Sequence, residues 1–346
     1  MNPVCARPCR VSFLIVAHNP GRWLAPCLKS AFAQTSVDVE VVLVDNASTD
    51  GSIAEAAASV AGKALKVITA PTNLGPYAGA ELGFSHCEGD FVARMDADDI
   101  SLAPRISRQL EVFHKYPSLA VVGSDAIMVD AEGKAIGVAF ALRFSWLRRR
   151  AAAFEIAIPH PTALFRREAL EEAFYNPTLF SCGDLELIEY FARKGRVGTS
   201  PEILYVYRQH SGSITSSRSG LQLLSACSVK REILKCYESG GRQAVRTKTF
   251  APLRGDQRQN LPRDAVVREF ARESAANGEG VAAAYFASLL SPLNGLASAA
   301  VWGIRRPSQI PSLCTLVFTR LAYPLWKRHR QRKIIKSWHV NPSYSG

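Results

Sequence analysis

The sequence predicts an α/β fold built on a largely parallel sheet. Three observations carry that expectation. Short apolar runs rich in β-branched residues alternate with segments of helical spacing. Each run stops at a cluster of polar or turn-forming residues. One run, Phe91-Val92-Ala93-Arg94-Met95, leads straight into Asp96-Ala97-Asp98-Asp99, three carboxylates within four residues.

Taken in order, Val11–Ala17 reads as a buried strand that ends at His18-Asn19-Pro20-Gly21, a turn. Trp23–Phe32 follows, with Trp23, Leu24, Cys27, Leu28, Ala31 and Phe32 on one helical face. Glu40–Val44 is a second strand, ending at Asp45-Asn46-Ala47-Ser48-Thr49-Asp50-Gly51. An Ala-rich helix is expected over Ser52–Val60, a third strand over Leu65–Thr69, and a helix over Tyr77–Cys87 after Asn73-Leu74-Gly75. Ligands of open α/β sheets sit beyond the carboxyl ends of the strands. Those ends carry His18 and Asn19, Asp45 and Asn46, Asn73, and Asp96, Asp98 and Asp99. Polar groups therefore converge on one rim.

Carboxylates this close repel one another and require a cation or several donors nearby. Mg²⁺ characteristically takes one or two carboxylates and fills its shell with substrate phosphates. Asp-x-Asp at a strand end thus suits a metal-bound diphosphate. A solvated acidic turn or a helix N-cap would use the same residues. The chain has no Gly-x-Gly-x-x-Gly and no Gly-x-x-x-x-Gly-Lys, so a dinucleotide-binding or P-loop reading lacks its phosphate cradle.

Composition divides the chain. Of its 346 residues, 47% are hydrophobic and 21% charged, enough to bury a core. Residues 1–240 hold 25 Lys and Arg against 25 Asp and Glu; residues 241–346 hold 17 against 5, and so carry the whole net charge of +12. This split predicts a domain over 1–220 and a basic, mainly helical region over 221–346. It argues against nucleic acid as partner of the first part. The eight cysteines lack Cys-x-x-Cys spacing, and most read as small core residues in a reducing compartment. With no apolar signal region at the start, a cytoplasmic location is expected.

Several segments, in this order, are similar to the family 2 glycosyltransferases of GT-A fold. They are Val11–Asn19, Val44–Ser52, Asn73-Leu74-Gly75, Met95–Asp99, Pro104-Arg105 with Gln109, Val121–Ser124, Pro159–Arg167, Gly183–Leu187 and Tyr207-Arg208-Gln209-His210. The resemblance covers about residues 10–215 and implies a Rossmann-like sheet flanked by helices. It also implies an inverting transfer of a sugar from a nucleotide-diphosphate donor, with a divalent cation (Mg²⁺ or Mn²⁺) as cofactor. A saccharide or lipid-linked saccharide would be the acceptor, in surface polysaccharide biosynthesis. A nucleotide-sugar-binding scaffold with a degenerate site is the alternative.

For the donor, the resemblance points to Ala17, His18, Asn19, Asp45, Asn46, Asn73 and Asp96. Asn46 stands where many relatives have Asp; it also suits a left-handed turn position. For the cation it points to Asp98 or Asp99, with His210 as a further ligand or a structural hydrogen-bonder. For the base it points to Asp184, with Glu186 second; relatives usually show Glu-Asp where this chain has Gly183-Asp184. Arg166 and Arg167 face either the diphosphate or surface partners.

Beyond the Ser-rich 211–220, helices are expected over Leu221–Tyr237, Ala265–Ala276 and Val281–Leu290, with a linker across 239–262. Residues 281–304 lack charge but are poorly apolar for a span, and read as packed or interfacial helix. Residues 311–338 join an apolar helix to a basic, aromatic tail, which suits peripheral contact with an anionic membrane at its inner face.

Overall fold

The structure is a computed structural model. It describes residues 9–143, 156–177, 179, 182–213, 219–238, 263–277, 327–332, 334–335 and 338. The linker 239–262 and residues 281–326 lie outside the described residues.

The first half forms as the alternation requires. Strand β1 (Arg10–Ala17) leads to helix α1 (Leu24–Phe32), β2 (Asp38–Asp45), α2 (Ser52–Ala58), β3 (Leu65–Thr69), α3 (Gly75–Phe84) and β4 (Phe91–Asp96). Then follow β5 (Ile100–Ser101), α4 (Arg105–Lys115), β6 (Val121–Val129), β7 (Ala135–Ala139), β8 (Leu164–Arg166), α5 (Arg167–Glu172), α6 (Gly183–Arg193) and β9 (Val197–Arg208). Helices α7 (Ser219–Glu238) and α8 (Arg263–Ala276) complete the long elements.

The strands make one sheet, ordered β3-β2-β1-β4-β8-β6-β9-β5, with β7 on β6. The β3-β2-β1-β4 half is parallel, as is β6 with β9; β8 joins the two halves antiparallel. Register explains the polar rim. Ala17 is level with Asp45, and Val16 with Asp96. The residues that follow therefore emerge side by side.

Alternation along each strand feeds two cores. Phe13, Ile15, Val41, Leu43 and Met95 meet α1, α2 and α4 on one face. Leu14, Val42, Val44 and Val92 meet α3, α5 and α6 on the other. Cys227, Ile233 and Leu234 of α7, with Val267 and Phe270 of α8, join this second core. The helices beyond residue 220 are thus packed onto the sheet's covering layer. Among the described residues no helix is long and apolar enough to cross a membrane. The described end of the chain also folds back: Ile334, Ile335 and Trp338 pack on Ile127, Val138 and Phe140, and the Arg330 guanidinium lies 5.4 Å from the Phe140 ring centroid. Cys27, Cys87, Cys182 and Cys227 are buried thiols, as their scatter in the sequence predicts.

At the edge of the sheet opposite the polar rim a buried carboxylate gathers three segments. Glu40 accepts from Arg10 Nη2 at 2.7 Å, from the Glu88 N–H at 2.6 Å and from the Gly89 N–H at 3.1 Å, and pairs with Ser12 Oγ. Gly89 also donates to Ser12 Oγ at 2.8 Å. A Cβ at residue 89 would stand 2.6 Å from the Ser12 nitrogen and 2.9 Å from the Arg10 oxygen, both backbone atoms that cannot swing aside. Gly89→Ala is therefore expected to lower stability by about 1–3 kcal/mol, read as a lower urea midpoint at unchanged m-value.

Candidate active site

The rim opens into a cleft of about 550 Å³. His18, Asn19, Asn46, Asn73, Asp96, Asp98, Asp184 and His210 line it. The predicted site residues that do not line it are Ala17, Asp45 and Asp99.

The donor-side turns are held by their own polar side chains. Asn46 is buried; its amide donates to Asn73 Oδ1 and to the Gly75 oxygen, both at 3.1 Å, and its Oδ1 accepts the Leu74 N–H at 2.8 Å. All its bonding capacity on that side ties the 45–51 turn to the start of α3. The left-handed residues of the turn are Ala47 (φ 61°) and Gly51 (φ 77°), not Asn46. Asp45 turns back to accept the Ser48 N–H at 2.8 Å. Asn19, itself left-handed (φ 50°), accepts the Thr49 N–H at 2.8 Å, and His18 Nδ1 lies 2.9 Å from the Asn46 oxygen.

The three carboxylates part company. Asp96 Oδ1 meets Arg94 Nη2 at 2.9 Å. Arg94 is buried in β4; burial opposes its charge, but Asp96 together with Tyr175, Tyr205 and Tyr77 outweighs it, and its pKa is raised. Asp98 Oδ2 lies 2.8 Å from His210 Nε2, and the His210 ring rests on Trp23 with centroids 4.1 Å apart. Asp99 is fully buried and accepts the Arg208 N–H at 2.7 Å. Burial, then the charges of Asp98 and Asp96, push its carboxyl well above the ordinary range. Arg208 also donates from Nε to the Asp98 oxygen at 3.1 Å, locking the 98–99 turn to the end of β9.

Among the described residues no group of three or more His, Cys, Asp and Glu side chains is placed to hold a metal unaided. The donor set Asp98 plus His210 nevertheless fits a hard cation that completes its shell with substrate phosphate oxygens and water.

Asp184 opens α6 and borders the cleft. Burial raises its pKa, and the Tyr77 hydroxyl and Leu185 N–H offset part of that rise. Glu186 is buried. Arg166 stacks on Phe91 and Phe113, and Arg167 pairs with Glu171 at 3.3 Å; neither lines the cleft. The Pro104-Arg105…Gln109 motif acts from beneath. Arg105 is fully buried, donates to the Arg94 and Ala163 oxygens at 2.9 and 3.2 Å, and burial lowers its pKa to about 10, so it stays charged at neutral pH. Gln109 donates to the Val122 and Thr162 oxygens, both at 2.7 Å. Sequence reasoning missed the roles of Trp23, Tyr77, Arg94 and His160. Only Arg94, a charge inside an apolar strand, carried a signal.

With this geometry in hand, comparison with known proteins places the chain. Residues 12–174, just under half of the chain, match the profile described as glycosyl transferase family 2. EpsE of Bacillus subtilis is 33% identical over 126 residues, 36% of this chain and 45% of that protein. An uncharacterized glycosyltransferase of Haemophilus influenzae is 26% identical over 238 residues, 66% of this chain and 74% of that one. The amylovoran biosynthesis glycosyltransferase AmsE of Erwinia amylovora is 33% identical over 116 residues, 32% and 42% of the two chains. The chain thus spans less than half the length of EpsE and AmsE. Among solved structures, S. aureus TarS 1–349 in complex with UDP-GlcNAc superposes with a TM-score of 0.55 at 17% identity, covering 92% of each chain. The mannosyltransferase PcManGT from Pyrobaculum calidifontis, in complex with GDP-Man and Mn²⁺, gives 0.51 at 19% identity, covering 93% and 88%. The fold is GT-A.

The cleft wall also sets an acid sensitivity. His160 Nε2 lies 2.6 Å from the Tyr175 hydroxyl, and burial, with Arg94 nearby, lowers its pKa to about 3. Unfolded, the imidazole titrates near 6.5. Between those values the unfolded chain binds a proton that the native protein excludes. The stability this site contributes is therefore complete above pH ~6.5 and declines as pH falls toward about 3, by at most ~1.4 kcal/mol per pH unit. His160→Gln should flatten the Tm-versus-pH curve between pH 6.5 and 4, measured by calorimetry.

Proposed function

We propose that this chain is an inverting, metal-dependent glycosyltransferase that moves a sugar from a nucleoside-diphosphate donor to a saccharide or lipid-linked saccharide in surface polysaccharide synthesis. The observation that carries this reading is that Asp98, paired with His210, and Asp184 line one and the same cleft. UDP is the nucleotide we assign to it. The TarS structures were solved with UDP and UDP-GlcNAc, which supports that choice. Mn²⁺ in the mannosyltransferase supports a divalent cation.

The nucleoside lies against His18, Asn19, Asn46 and Asn73, with Asp96 toward the ribose. Asp98 and His210 would hold the cation, which would supply positive charge against the leaving diphosphate. Asp99 keeps the turn in place from below, and Asp45 closes the neighbouring one. Asp184 takes the proton of the acceptor hydroxyl as that oxygen attacks the anomeric carbon opposite the departing diphosphate. A carboxylate whose pKa is raised by burial is a stronger base than a free one. Residues 1–220 carry these groups, and the described helices α7 and α8 pack on the second core.

Two substitutions separate the donor and acceptor sides. Asp184→Asn keeps size and hydrogen-bonding shape but cannot take a proton. It is expected to lower turnover of UDP-GlcNAc about 10²–10⁴-fold while UDP still binds in Mn²⁺, by calorimetry. Asp98→Asn should lose both turnover and the difference in UDP affinity between Mn²⁺ and excess chelator. Equal UDP affinity of the parent protein with and without chelator would remove the metal role.

A peripheral contact with anionic membrane belongs to the same reading. Of residues 311–338, the apolar side chains at 334, 335 and 338 are engaged by the core, whereas Arg328, His329 and Arg332 are exposed. The contact we propose is thus electrostatic, on the order of 1 kcal/mol per basic residue and weakened by salt. Arg328→Glu with Arg332→Glu should reduce cosedimentation with phosphatidylserine vesicles at low salt; unchanged binding would exclude this surface.

A further inference from the structure

Tyr77 has no part in the reading above, yet the fold fixes it beside the residue that reading makes the base. It stands on α3, and its hydroxyl donates to Asp184 Oδ1 at 3.0 Å. Its ring is held from two sides. On one it meets the Tyr175 ring at a centroid distance of 5.3 Å, and Tyr175 is in turn fixed by His160. On the other it meets the first residue of α6. A Cβ at Gly183 would lie 3.1–3.2 Å from three atoms of the Tyr77 ring, and the backbone there is not left-handed. The absence of a side chain at 183 therefore serves close approach. It lets the helix that carries Asp184 settle against the ring.

The hydroxyl in this slot is a lasting donor. Burial and the Asp184 charge push the Tyr77 pKa well above the ordinary phenol value. The other groups facing Asp184 are Cys182 just before it, Tyr175 from the segment after α5, the Leu185 N–H, and Lys230 from α7. A neutral donor on one carboxylate oxygen favours the ionised form and fixes the plane of the group. We propose that Tyr77, seated against Gly183, is a positioning residue that orients the Asp184 carboxylate and keeps it ionised. The catalytic consequence rests on the assignment of Asp184 as base.

The test reads the carboxyl directly. In the full chain labelled with ¹³C at aspartate carboxyls, the Asp184 signal is the one missing from Asp184→Asn. In Tyr77→Phe, which keeps the ring and removes the hydroxyl, the Asp184 titration midpoint should rise by about one pH unit. The acid limb of kcat/KM for UDP-GlcNAc hydrolysis should rise with it, while UDP affinity is unchanged. Gly183→Ala keeps both polar groups but presses on the ring; its midpoint should move in the same direction by less. If Tyr77→Phe fails to fold, Gly183→Ala decides the matter. A midpoint that stays or falls in the folded variants overturns the proposal. A midpoint that rises while the kinetic limb stays put leaves the Tyr77–Asp184 coupling standing and removes Asp184 as the base.

Discussion

Three like charges at the end of one strand would, unrelieved, drive β4 and its turn apart. The protein relieves the repulsion by sending each carboxylate to a different partner. Asp96 goes to a buried arginine two residues before it, Asp98 to a histidine at the end of β9, and Asp99 inward to a backbone N–H of that same end. The inward carboxylate is raised by burial and by its neighbours' charge, which weakens the repulsion further. Everything else around the cleft follows from this division. β9 must lie where Arg208 and His210 can reach, so β6 must bring it there. Tyr205, on the same strand, accepts the Asp96 N–H at 3.1 Å.

Much of this was legible in the chain. The strands of the first half, the rim they share and the cleft-lining residues His18, Asn19, Asn46, Asn73, Asp96, Asp98, Asp184 and His210 could all be named from sequence. Local rules see a strand end and the polar residue after it. They do not see the direction in which that residue points. Asp45 and Asp98 both follow buried strand residues, yet one bends back onto Ser48 and the other faces the cleft. Nor do local rules supply partners from far along the chain. Tyr77 is unremarkable until Asp184, 107 residues later, arrives beside it.

The two sides of the cleft are built by different means. One side is a set of turns stitched by amides, with Asn46 tying its own turn to residues 73–75. Its shape is set by directional bonds, and so it is suited to a planar, hydrogen-bonding ligand. The opposite side is aromatic: Tyr77, Tyr175 and His160 touch in sequence. Its shape is set by ring packing. The helices beyond residue 220 support this second side, since α7 shares a core with α6 and Tyr175. Of the basic part of the sequence, the described helix α8 is continuous in packing with this core through Val267 and Phe270.

The pairing of Asp98 with His210 closes a loop of 112 residues. Contacts so distant along the chain are costly in loop entropy and form late in folding. During synthesis the acidic turn is made long before β9 leaves the ribosome. A nascent chain that has folded only its parallel half therefore presents the carboxylates without the histidine. The Asp98–His210 pair is thus complete only once the end of β9 is in place.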